Sequence, residues 1–175
     1  HCWGYNGDGQ APPEGPLALR RGGAGAAQVS AGTFHSLVLR TDGSVQCWGY
    51  NGYGQAPRGG VQGPFVAVSA GGQHSLALRE DGSVHCWGYN GDGQAPPEGP
   101  LALRRGGAGA AQVSAGTFHS LVLRTDGSVQ CWGYNGYGQA PRGGVQGPFV
   151  AVSAGGQHSL ALREDGSVHC WGYNG

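Results

Sequence analysis

The sequence predicts an all-β protein made of tandem repeats, and three observations predict it. Residues 1–84 and 85–168 are identical at every position, and residues 169–175 begin a third copy. Within each 84-residue unit one segment occurs twice, so "CWGYNGDGQAP" or "CWGYNGYGQAP" stands at 2–12, 47–57, 86–96 and 131–141, with a fifth copy begun at 170–175. Short apolar runs alternate with turn-forming residues, and no useful length carries the 3.6-residue period of a helix.

The elements follow in order from the cleanest half, "FVAVSAGGQHSLALREDGSVHCWGYNGDGQ" at 65–94. "FVAVSAG" is rich in residues that suit a pleated surface and ends in Gly. "HSLALRE" is a second apolar run and "SVHCWGY" a third. Glu80-Asp81-Gly82-Ser83 joins these last two, and Asp-Gly accepts the positive φ that a tight hairpin needs. Thr41-Asp42-Gly43-Ser44 does the same in the other half. Each half therefore carries three strands, with a weak fourth in its Pro/Gly-rich segment. Trp3 to Trp48 spans 45 residues and Trp48 to Trp87 spans 39. That difference is confined to 11–32 against 56–71, which marks a surface loop.

Alternation assigns the faces. His74, Leu76 and Leu78 share one side of their strand, and Ser75, Ala77 and Arg79 the other. In the next strand Val84 and Cys86 oppose His85, Trp87 and Tyr89. Apolar residues on both faces require cover on both sides, as in stacked or radially packed blades. A lone three-strand unit cannot bury its Trp, Phe and Leu, so its neighbours must complete the core.

Composition narrows the function classes. The chain has 38 Gly and 10 Pro in 175 residues, a content that by itself suggests disorder, but regular apolar bursts argue against it. Formal net charge is zero, so no overall field draws the protein to nucleic acid or acidic membranes. No apolar run nears the roughly 18 residues of a membrane helix. One cysteine per repeat, at Cys2, Cys47, Cys86, Cys131 and Cys170, fits neither a disulfide framework nor a paired-cysteine metal site. Free thiols packed beside the Trp are expected. The chain opens on His1 with no leader pattern, which leaves its localisation open.

"VSAGGQHSLALREDGSVHCWGYNGDGQ" closely resembles the regulator-of-chromosome-condensation repeat. One half matches it through Gly32, His35, Asp42, Gly43, Trp48, Gly49, Asn51, Gly54 and Gln55. The next matches through Gly71, His74, Asp81, Gly82, Trp87, Gly88, Asn90, Gly93 and Gln94. The short spacing after "GQ" is also similar to a bacterial β-lactamase inhibitor protein built from this repeat. The resemblance implies a β-propeller, about one blade per repeat, and a non-enzymatic role in binding proteins. Two features depart from the family. Its propellers typically close with seven blades, and Ala-Pro replaces the usual Leu-Gly after "GQ". Its exchange-factor members use a wedge and loops that cannot be placed here, so nucleotide exchange does not carry over.

The whole of 1–175 is thus one repeat array, with a spare strand at 1–7 and repeats at about 8–52, 53–91, 92–136 and 137–175. It is expected to be a segment of a longer propeller, or an open structure that assembles through its end strands into rings or filaments. A regulatory propeller inside a larger signalling, ubiquitin-ligase or guanine-nucleotide-exchange protein is the third reading.

The candidate site residues sort into scaffold and surface. His35, His74, His119 and His158 occupy equivalent places and invite a ring of metal ligands. Equivalent atoms on propeller blades lie too far apart for the roughly 2 Å bonds of such a site, so each His is expected to hydrogen-bond within its own blade. Trp3, Trp48, Trp87, Trp132 and Trp171 are expected to fill the space between sheets. "NGDG" lacks the spaced carboxylates and closing Glu of a calcium loop. "GGAGAA" at 22–27 lacks a phosphate loop's Lys-Ser/Thr. Ser beside His in "HSL" points to the opposite face, so no catalytic pair arises. No catalytic residue, cofactor or metal is therefore expected. The variable surface is Asp8, Tyr53, Asp92 and Tyr137, which alternate in one turn, and the basic doublets Arg20-Arg21 and Arg104-Arg105 in the longer loops. These eight are the expected contacts for a protein partner.

Overall fold

A computed structural model describes residues 1–13, 24–97, 99 and 108–174. Among them are twelve strands in four three-stranded antiparallel sheets. Blade 1 holds β1 (Ala26–Ala31), β2 (His35–Arg40) and β3 (Val45–Gly49), and blade 2 holds β4 (Phe65–Ala70), β5 (His74–Arg79) and β6 (Val84–Gly88). Blade 3 holds β7 (Ala110–Ala115), β8 (His119–Arg124) and β9 (Val129–Gly133), and blade 4 holds β10 (Phe149–Ala154), β11 (His158–Arg163) and β12 (Val168–Gly172). The weak fourth strand is reduced to single bridges, Val45 with Val61 and Val129 with Val145, both in the blades followed by the shorter segment.

The hairpins form where Asp-Gly directs them. Gly43 N–H donates to Arg40 O at 3.0 Å, Arg40 N–H donates to Ser44 O at 2.8 Å, and Gly43 sits at φ +80°. This is a type I turn closed by a left-handed glycine. Asp42 Oδ1 accepts from both the amide and the hydroxyl of Ser44, at 3.0 and 2.6 Å.

The two faces of each sheet pack against different neighbours. Leu76, Leu78, Val84 and Cys86 form one core with Val113 and Val122 of blade 3. Ala77 and Val68 lie in another with Leu37, Leu39, Val45 and Cys47 of blade 1. The blades thus succeed one another as in a propeller, first strands innermost. The ends of β1, β4, β7 and β10 line a channel of about 290 Å³ with Gly, Ala and Thr. Residues 1–7, expected as a spare strand, pair into no sheet.

All five cysteines are free. Burial pushes the thiols of Cys47, Cys86 and Cys131 up to about 12, while Cys2 and Cys170 reach solvent. A thiol reagent applied to the native protein near pH 8 should modify Cys2 and Cys170 promptly and the other three only after denaturation. Five equally fast thiols would contradict the burial.

Candidate functional site

The turn that leads into each blade is held by two side-chain oxygens. Asn51 Oδ1 accepts from Ala56 N–H at 2.8 Å, and Gln55 Oε1 accepts from Tyr53 N–H at 3.1 Å. The same pairs recur at Asn6 and Gln10, Asn90 and Gln94, and Asn135 and Gln139. In all four turns the alternating residue contributes only its backbone N–H. Its side chain, Asp8, Tyr53, Asp92 or Tyr137, is left to the surface.

A second network fastens each turn to the following blade. Gln55 O accepts from Trp87 Nε1 at 2.9 Å and from Ser75 Oγ at 3.1 Å, and His35 Nε2 lies 2.8 Å from the same Ser75 Oγ. The serine hydroxyl donates to Gln55 O, so the imidazole donates Nε2–H to the serine and carries its lone pair on Nδ1. His74 meets Ser120 and His119 meets Ser159 in the same way, each at 2.9 Å. The expectation of a hydrogen bond within the blade is therefore corrected: the histidine bond crosses to the next blade, because alternation turns Ser75 toward blade 1 and His35 toward blade 2. His158, on the last blade, is exposed. Among the described residues no group of three or more His, Cys, Asp or Glu is placed to hold a metal.

Trp87, Trp132 and Trp171 pack against the cores between blades. Trp48, Trp87, Trp132 and Trp171 are half-buried at blade edges, and Trp3 is exposed. The most deeply buried filling is Leu37, Leu76 and Leu121, and each Trp from blade 1 onward uses its indole N–H to pin a Gln carbonyl.

The alternating residue changes the surface at each blade junction. Tyr53 is 47% exposed, and its ring lies edge-on to Tyr50 at 6.1 Å and to Tyr89 of the next blade at 5.0 Å. Phe34 extends this cluster, 6.4 Å from Tyr50. Tyr137 repeats it with Tyr134 and Tyr173, at 6.0 and 5.0 Å. Where Asp92 stands instead, no ring bridges the junction. A cleft of about 610 Å³ lies there, lined by Asp92, Gly93, Gln130, Trp132, Tyr134 and Arg142 among others. Asp8 is exposed on the turn before blade 1. Arg20, Arg21, Arg104 and Arg105 lie outside the described residues.

Sequence reasoning missed the partners Phe34, Tyr50 and Tyr89. The signal was present, since Tyr50 and Tyr89 precede the alternating residue in every copy. Seeing the contact needed the blade-to-blade distance. It also missed the Gln main-chain carbonyls, because a carbonyl acceptor leaves no mark in a side-chain pattern.

The model of the regulator of chromosome condensation (RCC1) repeat matches residues 26–55, 65–94, 110–139 and 149–175. No curated protein matches the chain. Among solved structures, it is similar to Prp20p of Saccharomyces cerevisiae, with 22% identity and a TM-score of 0.74, over 86% of this chain and 46% of that one. The Prp20p structure was reported with its binding to Gsp1p and histones. Human WBSCR16 has 26% identity and a TM-score of 0.72, over 86% and 48%. The ectodomain of the Arabidopsis thaliana receptor kinase ACR4 has 26% identity and a TM-score of 0.67, over 94% and 57%. The chain thus spans about half the length of the propellers that it matches. Four matched repeats, folded as four successive three-stranded blades, place the chain in the regulator of chromosome condensation (RCC1) repeat family.

Proposed function

We propose that the protein is a non-enzymatic interaction module that binds a protein partner through the turns at its blade junctions. One observation carries the reading: exposed Tyr53 packed on half-buried Tyr89, repeated as Tyr137–Tyr173, on turns whose hydrogen bonds make no use of the Tyr side chain. A rigid scaffold that presents large amphipathic rings without needing them for folding has the make-up of a binding surface. The channel is lined by Gly, Ala and Thr and, among the described residues, carries no charged or imidazole side chain. The similar Prp20p structure was reported with its binding to Gsp1p and histones, and a comparable use of the fold in binding proteins is proposed here.

The test is a peptide-display selection against the parent chain, followed by affinity measurement on a double variant, Tyr53→Asp with Tyr137→Asp. Asp already occupies this turn at two other copies, so the variant should melt with the parent. Selected ligands should lose about 30-fold or more in affinity, which corresponds to roughly 2 kcal/mol. Ligands that bind parent and variant alike would remove the Tyr turns from the binding surface. A lowered melting temperature would make the tyrosines scaffold.

A further inference from the structure

The cleft at the joint of blades 2 and 3 differs from the equivalent place at the joint of blades 1 and 2 by three side chains that change together. Blade 3 has Asp92 in the turn before it, Gln130 on β9 and Arg142 in the segment after it. Blade 1 has Asp8, Gln46 and Arg58 in the same places, whereas blade 2 has Tyr53, His85 and Pro97. On blade 2 the larger rings fill the space. Tyr53 lies 5.0 Å from Tyr89, and His85 lies 5.5 Å from Trp87. On blade 3 the space is open as the cleft of about 610 Å³. Tyr134 and Trp132, the equivalents of Tyr89 and Trp87, line it, and among the described residues no other ring lies on Trp132. The cleft also holds two opposite charges that do not meet. Asp92 and Arg142 both line it and are exposed, and among the described residues neither has an ion-pair partner. Blades 2 and 3 each pack against a blade on both sides, so the site is complete within the chain.

We infer that this cleft takes one basic and one acidic side chain from a single segment of a protein partner, the basic group on Asp92 and the acidic group on Arg142. A cation beside Asp92 also comes near the Tyr134 and Trp132 rings, whose π-systems attract positive charge. The Arg142 guanidinium receives a carboxylate through two parallel hydrogen bonds. The volume lies within the roughly 300–1,000 Å³ of ordinary ligand sites. Exposed ion pairs are individually weak, so a small free zwitterion would be held poorly. A protein segment gains further contact on either side, since exposed Tyr53 and Tyr137 stand at the two adjoining joints. The class of occupant therefore rests on the junction-turn reading, and the charge pair is what this inference adds to it.

Peptides selected by display on the 175-residue chain test it, with Asp8→Asn and Arg58→Gln introduced to leave one charge pair. The selected peptides should carry Lys or Arg together with Asp or Glu. Asp92→Asn and Arg142→Gln should each weaken them by about 10-fold or more. Melting should be unchanged, because neither side chain is hydrogen-bonded among the described residues. Replacing the peptide's basic residue by Ala should cost as much on the parent and nothing further on Asp92→Asn. Peptides with their basic and acidic residues exchanged should recover affinity for the double variant Asp92→Arg with Arg142→Asp. Losses that simply add, or affinities indifferent to Asp92 and Arg142, would overturn the inference. Tyr53→Asp with Tyr137→Asp, measured alongside, separates the two readings. Peptides sensitive to the tyrosines but not to the charges leave the junction-turn reading standing and remove this one, and a library that yields no binder removes both.

Discussion

Acidification from pH 7 to pH 4 should unfold this protein cooperatively, with loss of stability beginning near pH 6.5. The cause is the row of imidazoles at the blade joints. His35, His74 and His119 are fully buried, each donates Nε2–H to a serine of the next blade, and each has an Nδ1 without a hydrogen-bond partner. Protonation would bury an unpaired N–H and a charge. Desolvation accordingly lowers His35 and His119 to about 4. It lowers His74 to about 3, with added repulsion from its two neighbours. The sign follows from proton uptake. Below pH 6.5 the unfolded chain binds protons at these sites and the folded chain does not, so stability falls until the folded values are reached. Each site loses about 1.4 kcal/mol per pH unit in that window, so three sites lose about 4 kcal/mol per unit. Two such units remove about 8 kcal/mol, which exceeds the lower part of the roughly 5–15 kcal/mol range of domain stabilities. Serine hydrogen bonds also hold Asp42, Asp81, Asp126 and Asp165 below the usual carboxylate range, and their contribution is lost as pH falls further.

Circular dichroism and tryptophan fluorescence followed against pH would check this. His74→Gln should give a shallower transition, because two sites then titrate instead of three. A parent that melts at pH 4 as it does at pH 7 would show that the imidazoles are not buried neutral.

Strand content was readable from the sequence because the blades are built from local rules. Asp-Gly marks each hairpin, and two-residue alternation assigns Leu76 and Ala77 to opposite faces, where they are found in different cores. What alternation cannot supply is the identity of the neighbour on each face. His74 was correctly placed on the face opposite Ser75, yet its bond was expected inside the blade, and it reaches Ser120, 46 residues away. For the tryptophans alternation cannot supply the depth of burial. A large aromatic in every repeat reads as core, and Trp87 packs against the core between blades 1 and 2, but it is half-buried and its indole N–H finds a carbonyl. On the candidate surface the alternation of Asp and Tyr was visible. The Tyr53–Tyr89 contact was not, because it depends on how closely two turns approach across a junction.

That closeness gives the second large effect. Gly71→Ala should destabilise the protein by about 3 kcal/mol or more, at the upper end for overpacking. Gly71 follows β4 beside the channel, and its N–H donates to His74 O at 2.9 Å. A methyl group there would stand 2.5 Å from Gly116 O on the next blade and 2.6 Å from the buried His74 Cε1. Neither can yield independently. The carbonyl is fixed by the bond from Gly72 N–H, and the imidazole by Ser120. Relief requires blades 2 and 3 to part, which uncovers the Leu76, Val84 and Val113 core. Two controls isolate the cause. Gly25→Ala meets only Thr41 Cγ2 at 3.9 Å, so it should be neutral or slightly stabilising through the unfolded chain. Gly155→Ala sits in the same local sequence as Gly71, but its methyl would approach only the exposed His158 ring of its own blade. In this chain it should cost far less, since among the described residues no carbonyl of another blade stands against that methyl. Thermal melts of the three variants at low concentration decide the matter. Equal losses for Gly71→Ala and Gly155→Ala would place the constraint inside the blade rather than between blades.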